Sequence, residues 1–497
     1  MRALFGALII TAIAATAWAE PSAPLSEFKV RFDANGPYLI LATTRADHDF
    51  PKAIAAAKVL HPNAVSATCA ANDLAAAKKI LLAEQPHYIL LFIKPDELDV
   101  NFAWQWLTIC TQLNDDPLVD VCTGVITGSS PEAAEAFVKR ISDAVNGHTK
   151  LPGRLVDNFG PNSEIGKTDF QQFPGNFMIP ALGPRLGLNA ISHGTQAFSD
   201  KHLDSMRDAG LIHFGGHGHP DQIDDGLRAS QVKSLQLSPC VVFNGACYTG
   251  VTNRWFDQFT TDGKVVEKTV ADDSFCLNFL KTTAIAYFAA LHPDHGIPVY
   301  QEMEYLAYSG ASMGEVIKHT HDGVIISAGG HVPKFEKLAG GMPAPAWSPS
   351  EMMLKGTASR MLFGDPSVIV TDPFIKPPFN VETKADRDSL HITAIVSNPL
   401  LRSSFADTYF SDLASDKNLF NDRALIAVDL PQNWKTVSGV EVLNATAGGK
   451  PLKHRAAGYA IESHARKLWI QVDLPSEGFM QSRFRVEGSA IELKVKQ

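Results

Sequence analysis

The sequence predicts an α/β protein built on a mostly parallel sheet and followed by a C-terminal β-sandwich, and three observations carry this. From Pro37 to about Ile141, short apolar runs alternate with stretches of helical periodicity, the rhythm of βαβ units whose sheet is covered on both faces. Two later apolar runs, Leu211 to Phe214 and Val241 to Asn244, stop abruptly at small residues. Past Pro373 the helical period fades, and strand-like runs separated by turn-rich links replace it.

In order along the chain, Arg2 and the apolar run Leu4 to Ala17 precede Ala17-Trp18-Ala19, the pattern of a cleavable export signal. The apolar core is too short for a comfortable span and no lipobox cysteine follows it. Residues 1–19 are therefore expected to be removed, leaving a periplasmic or secreted protein without a membrane span. Tyr38 to Ala42 and Tyr88 to Ile93 read as buried strands, with Phe50 to Leu60 and Leu74 to Ala83 as helices. Val119 to Ile126 reads as the next strand. Ser130 then looks like an N-cap with Pro131 at the first helical position and Ala133 to Ile141 as the helix body. Residues 145 to 200 are rich in Gly, Pro and Asn and hold no sustained period; Gly329 to Pro349 is similar. Both read as loop regions, at a cleft border or as surface insertions, the first either functional or carrying small elements of its own. Phe275 to Leu291 carries Lys281, Thr282 and Thr283 near its centre, which favours a helix end followed by a buried strand over a membrane span. The strands expected in the sandwich are Leu390 to Val396, Ala424 to Leu430, Lys467 to Leu474 and Arg483 to Val495. An immunoglobulin-like arrangement is expected there, with Pro373 to Pro378 as a linker.

A length of 497 residues leaves ample material for a large core over two to four domains. The formal charge of −9 comes without any dense Lys/Arg run, so nucleic acid is not an expected partner. Six cysteines, at 69, 110, 122, 240, 247 and 276, are too few for a disulfide-built scaffold. A reactive Cys247 would leave five others, hence at least one more unpaired thiol or an intermolecular bond.

The chemistry gathers at the ends of the two apolar runs. Leu211-Ile-His-Phe-Gly-Gly-His-Gly-His219 ends on His217, and Val241-Val-Phe-Asn-Gly-Ala-Cys-Tyr-Thr-Gly250 ends on Cys247. Adjacent parallel strands present their C-terminal ends on one edge, where ligands bind, and Asp224 to Leu235 is long enough for the crossover helix this requires. Gly215, Gly216 and Gly218 permit a tight turn, while Gly245 and Ala246 leave the sulfur uncrowded. A thiol nucleophile needs a base; His217 supplies one, and the amides of Gly218 and Cys247 are natural oxyanion donors.

This His-Gly and Ala-Cys pair resembles the caspase-like clan of cysteine peptidases, and within it most closely the gingipain family. Further motifs fall in the family's order: Asp120 to Gly128, Asn244 to Gly250, Thr283 to Ala290, Gly310 to Glu315 and Leu362-Phe-Gly-Asp-Pro-Ser367. The resemblance spans roughly residues 36 to 371. It implies a caspase/gingipain-like αβα sandwich, with an N-terminal subdomain over 20–150, a catalytic subdomain over 151–372 and a sandwich domain over 379–497. It also implies a cysteine endopeptidase acting on protein or peptide substrates; a preference for cleavage after basic residues, as in relatives, would put an acidic group at the floor of the pocket, and the sequence does not identify one. No cofactor is required; a structural calcium is compatible with the family but not derivable from these residues. Two departures stand out: Val125 occupies the position of the family's Arg, and Glu20 to Asn35 is too short for a large pro-domain. Asp157 and Asp169 both lie at plausible distances to orient His217, and no local motif selects either.

Two other readings stay open. A caspase-like scaffold can be catalytically silent and serve as a binding module. Alternatively, His217-Gly-His219-Pro-Asp221, with His213, copies most of a zinc-hydrolase His-x-His-x-Asp-His motif, although Gln222 stands where the last histidine belongs.

Overall fold

The computed structural model describes residues 26–159, 189–193, 198–223, 226–294, 302–303, 305–306, 309–372, 377, 379–397, 419–462, 465–477 and 488–497. Its centre is a ten-stranded sheet built from β1 (Tyr38–Thr43), β2 (Val65–Cys69), β3 (Tyr88–Phe92), β4 (Cys122–Ile126), β5 (Arg154–Phe159), β6 (Asn189–Ser192), β7 (Leu211–Gly215), β8 (Cys240–Asn244), β9 (Ala284–Ala290) and β10 (Arg360–Gly364). The strand order is β2-β1-β3-β4-β10-β9-β8-β7-β5-β6. Pairing is parallel along β2-β1-β3-β4 and again along β9-β8-β7-β5-β6. Between the two runs lies β10, antiparallel to β9. The Thr252 hydroxyl, past the end of β8, donates to the Pro95 carbonyl, past the end of β3, at 2.8 Å. The C-terminal edges of the two runs therefore lie on the same side.

Helices cover both faces. On one, α1 (Pro51–Leu60) packs against α4 (Pro131–Val145). On the other lie α2 (Leu74–Glu84), α3 (Val100–Cys110), α5 (Met313–Ser327) and α6 (Pro349–Ala358). This is the expected αβα sandwich. Its local causes were readable: Ser130 caps α4 by accepting from the Ala133 N–H at 3.2 Å, with Pro131 at the first helical position. All five residues of β3, and all five of β8, are buried, as a strand covered on both faces requires.

Three expectations are corrected. Residues 145 to 200 are not loop throughout, since they contribute β5 and β6. The connection between β7 and β8 is not mainly a helix: a small antiparallel sheet of Gly218–His219, Gln222–Ile223 and Leu227–Arg228 precedes a single turn, Ala229–Val232. The final strand, Ala490–Lys496, follows a turn at Gly488, so the run expected up to Val495 is not continuous through that point; residue 483, Asp169 and most of the Pro373 to Pro378 segment lie outside the described residues.

The C-terminal residues form two antiparallel sheets, of five and three strands, which share one core containing Ile392, Ile426, Ile470 and Leu493. This unit rests on α5, where the Ser327 hydroxyl donates to Gln471 Oε1 at 2.9 Å and Lys318 pairs with Glu462 at 3.5 Å. Among the described residues, no helix is long and apolar enough to cross a membrane.

Candidate active site

Strands β7 and β8 are direct parallel neighbours, with Leu211 opposite Val241 and Phe214 opposite Asn244. Both end on the same edge, and the chains leaving them touch. A Cβ added to Gly218 would lie 2.2 Å from the Cys247 carbonyl oxygen and 2.7 Å from its nitrogen. Only glycine allows this backbone-on-backbone approach. It fixes the His217-Gly218 segment against the Cys247 peptide. The His217 side chain is exposed there, Gly218 is buried and Cys247 is half-buried.

The turn carrying Cys247 is held from below. The Ala246 N–H donates to Asn244 Oδ1 at 2.9 Å, Asn244 Nδ2 donates to the Tyr287 hydroxyl at 3.0 Å, and that hydroxyl donates to the Thr249 carbonyl at 2.9 Å. Tyr248 has a φ of 60°, a left-handed conformation that a bulky residue adopts only when its surroundings impose it. The sulfur lies beside the Asp294 backbone. Its S–H donates to the Asp294 carbonyl at 2.9 Å, and the Asp294 N–H approaches it at 3.3 Å.

Burial pushes the Cys247 thiol up to about 12. The N–H groups of Asp294, Cys247 and Gly218 pull the other way, and the Asp294 charge adds to the rise. The resting thiol is therefore neutral and needs a base to become a nucleophile. The N–H groups of Gly218 and Cys247, the expected oxyanion donors, are among those that act on this sulfur.

Behind the turn lies a buried ion cluster that the sequence did not announce. Arg360 Nη1 donates to the Asn244 carbonyl at 3.0 Å and to Asp294 Oδ2 at 2.5 Å, while Nε and Nη2 grip the two oxygens of Glu302 at 2.7 Å each. All three side chains are inaccessible to solvent. Burial opposes the Arg360 charge, but Glu302 and Asp294 outweigh it and raise its pKa.

The remaining histidines separate. His213 Nδ1 bonds Asp157 Oδ1 at 2.7 Å, both groups fully buried and directly opposite in register. Asp157 thus engages His213 in the interior of the sheet. His219 is exposed. Among the described residues, a single group brings three metal-ligating atoms together, and it does not include His217, His219 or Asp221.

His292 was missed entirely. It follows β9 and is fully buried among Trp104, Trp347 and Tyr248 at ring-centroid distances of 5.2, 5.5 and 6.2 Å. Trp347 belongs to the Gly329 to Pro349 segment, which thereby reaches the neighbourhood of Cys247. Burial, opposed by the Pro293 backbone and aided slightly by Lys355, lowers the His292 pKa from 6.5 to about 3. The unfolded chain binds this proton below pH 6.5 and the folded chain does not, so stability falls as the pH drops through that window. His292→Phe should therefore gain stability relative to the parent between pH 8 and pH 5, by on the order of 2 kcal/mol. Urea midpoints at the two pH values measure this; an unchanged difference would refute it.

No protein-family model and no curated protein sequence matches the chain. Solved structures similar to it include a protease at 11% identity and TM-score 0.47, covering 89% of this chain and 98% of that one. The Arg-specific cysteine proteinase gingipain R is similar at 12% identity and TM-score 0.41, over 88% of this chain and 92% of its own. The Saccharomyces cerevisiae separase-securin complex is similar at 12% identity and TM-score 0.33, over 56% of this chain and 16% of that one.

Proposed function

We propose that this chain is an exported cysteine endopeptidase with Cys247 as nucleophile and His217 as general base and acid. The observation that carries the reading is the Gly218 to Cys247 backbone contact, which joins the two loops at the ends of adjacent parallel strands. In the reaction, His217 takes the S–H proton as the Cys247 Sγ attacks the scissile carbonyl carbon. The oxyanion that forms is stabilised by the N–H groups of Gly218 and Cys247. Collapse breaks the C–N bond, and the imidazolium gives its proton to the leaving amine. Water, deprotonated by the same imidazole, then releases the acyl group and restores the thiol. The neutral resting thiol supports this general-base route over a preformed ion pair. Cleavage after basic residues, and removal of residues 1–19 on export, belong to the same proposal.

The test is labelling of the mature protein with peptidyl acyloxymethyl ketones, first those carrying Arg or Lys and then a broad panel. An adduct on Cys247 is expected, lost in His217→Ala and kept in His219→Ala. No adduct across the panel would leave the silent-scaffold reading in place. Hydrolysis abolished by a chelator yet indifferent to Cys247→Ala would favour the zinc reading instead.

A further inference from the structure

At the opposite edge of the sheet, three stretches of chain bring together a mixed set of donors. His87, just before β3, offers a ring nitrogen; Cys122, the first residue of β4, offers its sulfur; Glu315, in the first turn of α5, offers a carboxylate oxygen. The three ligating atoms lie within 4.8 Å of one another. His87 Nε2 and Glu315 Oε1 are 2.9 Å apart. Nothing in the proposed peptidase chemistry uses any of them.

We propose that His87, Cys122 and Glu315 form a zinc site that ties the start of two central strands to helix α5. The donor set decides the metal. Imidazole and thiolate together suit Zn²⁺ and disfavour the hard cations Ca²⁺ and Mg²⁺, which take oxygen ligands. A carboxylate completes three protein ligands, and the fourth tetrahedral position is left for water. Access exists, because the His87 and Glu315 side chains are 35% and 29% exposed while Cys122 is buried. The sulfur is also held in place: a Cβ on Gly314 would lie 2.7 Å from the Cys122 Cβ, so glycine there lets α5 close down on the thiol.

Lys318, one turn along α5, acts on both Cys122 and Glu315. It pairs with Asp322 at 2.7 Å and with Glu462 at 3.5 Å. Two carboxylates therefore offset its charge before a divalent ion meets it. As the Sγ–metal bond forms, the thiol proton passes to buffer, which balances the step. The consequence is structural: an ion bound only by the folded chain stabilises the fold by mass action.

The experiment uses the full mature chain carrying Cys247→Ala, under reductant, with cobalt(II) as the probe. A near-ultraviolet thiolate-to-cobalt charge-transfer band is expected, displaced by about one equivalent of zinc. Cys122→Ser should abolish the band. His87→Gln and Glu315→Gln, checked for folding by circular dichroism, should weaken cobalt affinity by more than the roughly 10- to 100-fold typical of losing an outer-shell partner. Zinc should also raise the thermal midpoint of the Cys247→Ala chain and leave that of the Cys122→Ser variant unchanged. The proposal is overturned by absence of the band, by a band that survives Cys122→Ser, or by one lost in His219→Ala. It does not depend on the peptidase reading, whose labelling test uses Cys247.

Discussion

Arg360→Ala is expected to destabilise the protein by about 3–5 kcal/mol, the usual cost of stripping one partner from a buried ion pair. The cause is the environment of the two carboxylates left behind. Asp294 and Glu302 are both inaccessible to solvent, and burial already raises the Glu302 pKa against the opposing pull of Arg360. Without the guanidinium, Glu302 must be buried without the charge that both its oxygens face, or take up a proton. A group whose folded pKa is raised has its stability present at low pH and loses it as the pH rises. The deficit of the variant should therefore be smaller at pH 5 than at pH 8. The same substitution removes one hydrogen bond from the Asn244 carbonyl at the end of β8 and one from Asp294, whose backbone flanks the Cys247 sulfur. A displacement near 1 Å there should lower activity by ~100-fold in protein that remains folded. Urea midpoints at both pH values, with probe labelling of Cys247 in the folded fraction, measure the two effects. Unchanged midpoints would remove the argument, and so would full labelling at the parent rate. Arg360→Lys offers a partial rescue of stability at most, because an ammonium cannot reproduce the fork on Glu302.

What could be read in the sequence depended on whether a residue's partner was local. Tyr88 to Phe92 and Cys240 to Phe243 are apolar runs because helices cover both faces of their sheet, so their strands were visible. The Ser130-Pro131 cap was visible for the same local reason. Strand β5 was not. Its Asp157 and Asn158 interrupt the apolar pattern, and they are tolerated only because His213, more than fifty positions on, bonds both through its ring and its carbonyl. Strand β2 escaped notice because it is an edge strand with much of Val65–Cys69 exposed. Strand β10 opens on an arginine, and only the fold reveals that two distant acids neutralise it. At the candidate site, His217, Gly218 and Cys247 could be picked out from their glycine-rich surroundings. His292 and the Asp294 backbone could not: they follow the Thr283 to Ala290 motif directly, but only the fold brings that strand's end beside the Cys247 turn. His87, Cys122 and Glu315 lie far apart in sequence and converge only through packing.

The Gly-Asp-Pro-Ser motif near Leu362 has a purely structural account. Asp365 is buried, accepts from the Tyr38 hydroxyl at 2.9 Å, bonds His61 Nε2 at 2.6 Å, and receives both the Ser367 N–H and its hydroxyl. It fastens the end of β10 to the start of β1. That lies on the edge away from Cys247, so the motif that resembles the family's closing signature acts as a clasp in the sheet.

Gly218→Ala should nearly eliminate activity while the sheet survives. The added methyl would meet the Cys247 carbonyl oxygen at 2.2 Å, and the nearest three atoms are all backbone. No rotamer change relieves such a contact, so the two loops must separate. Overpacking of this kind costs typically ~1–3 kcal/mol, which a domain of this size can absorb. Catalysis cannot absorb the same movement, because it withdraws the Gly218 N–H from the sulfur and shifts His217 relative to Cys247. Losing one oxyanion donor alone is worth ~100- to 1,000-fold in turnover, and misplacing the base adds to that. Labelling should accordingly fall by at least ~100-fold, with urea midpoints lowered only modestly. His217→Ala serves as the comparison: it should match Gly218→Ala in lost labelling without the loss of stability, because the exposed imidazole fills no space that the core requires. If Gly218→Ala labelled at the parent rate, the contact between the two strand ends would have no part in the chemistry, and the assignment of Gly218 as an oxyanion donor would fall with it.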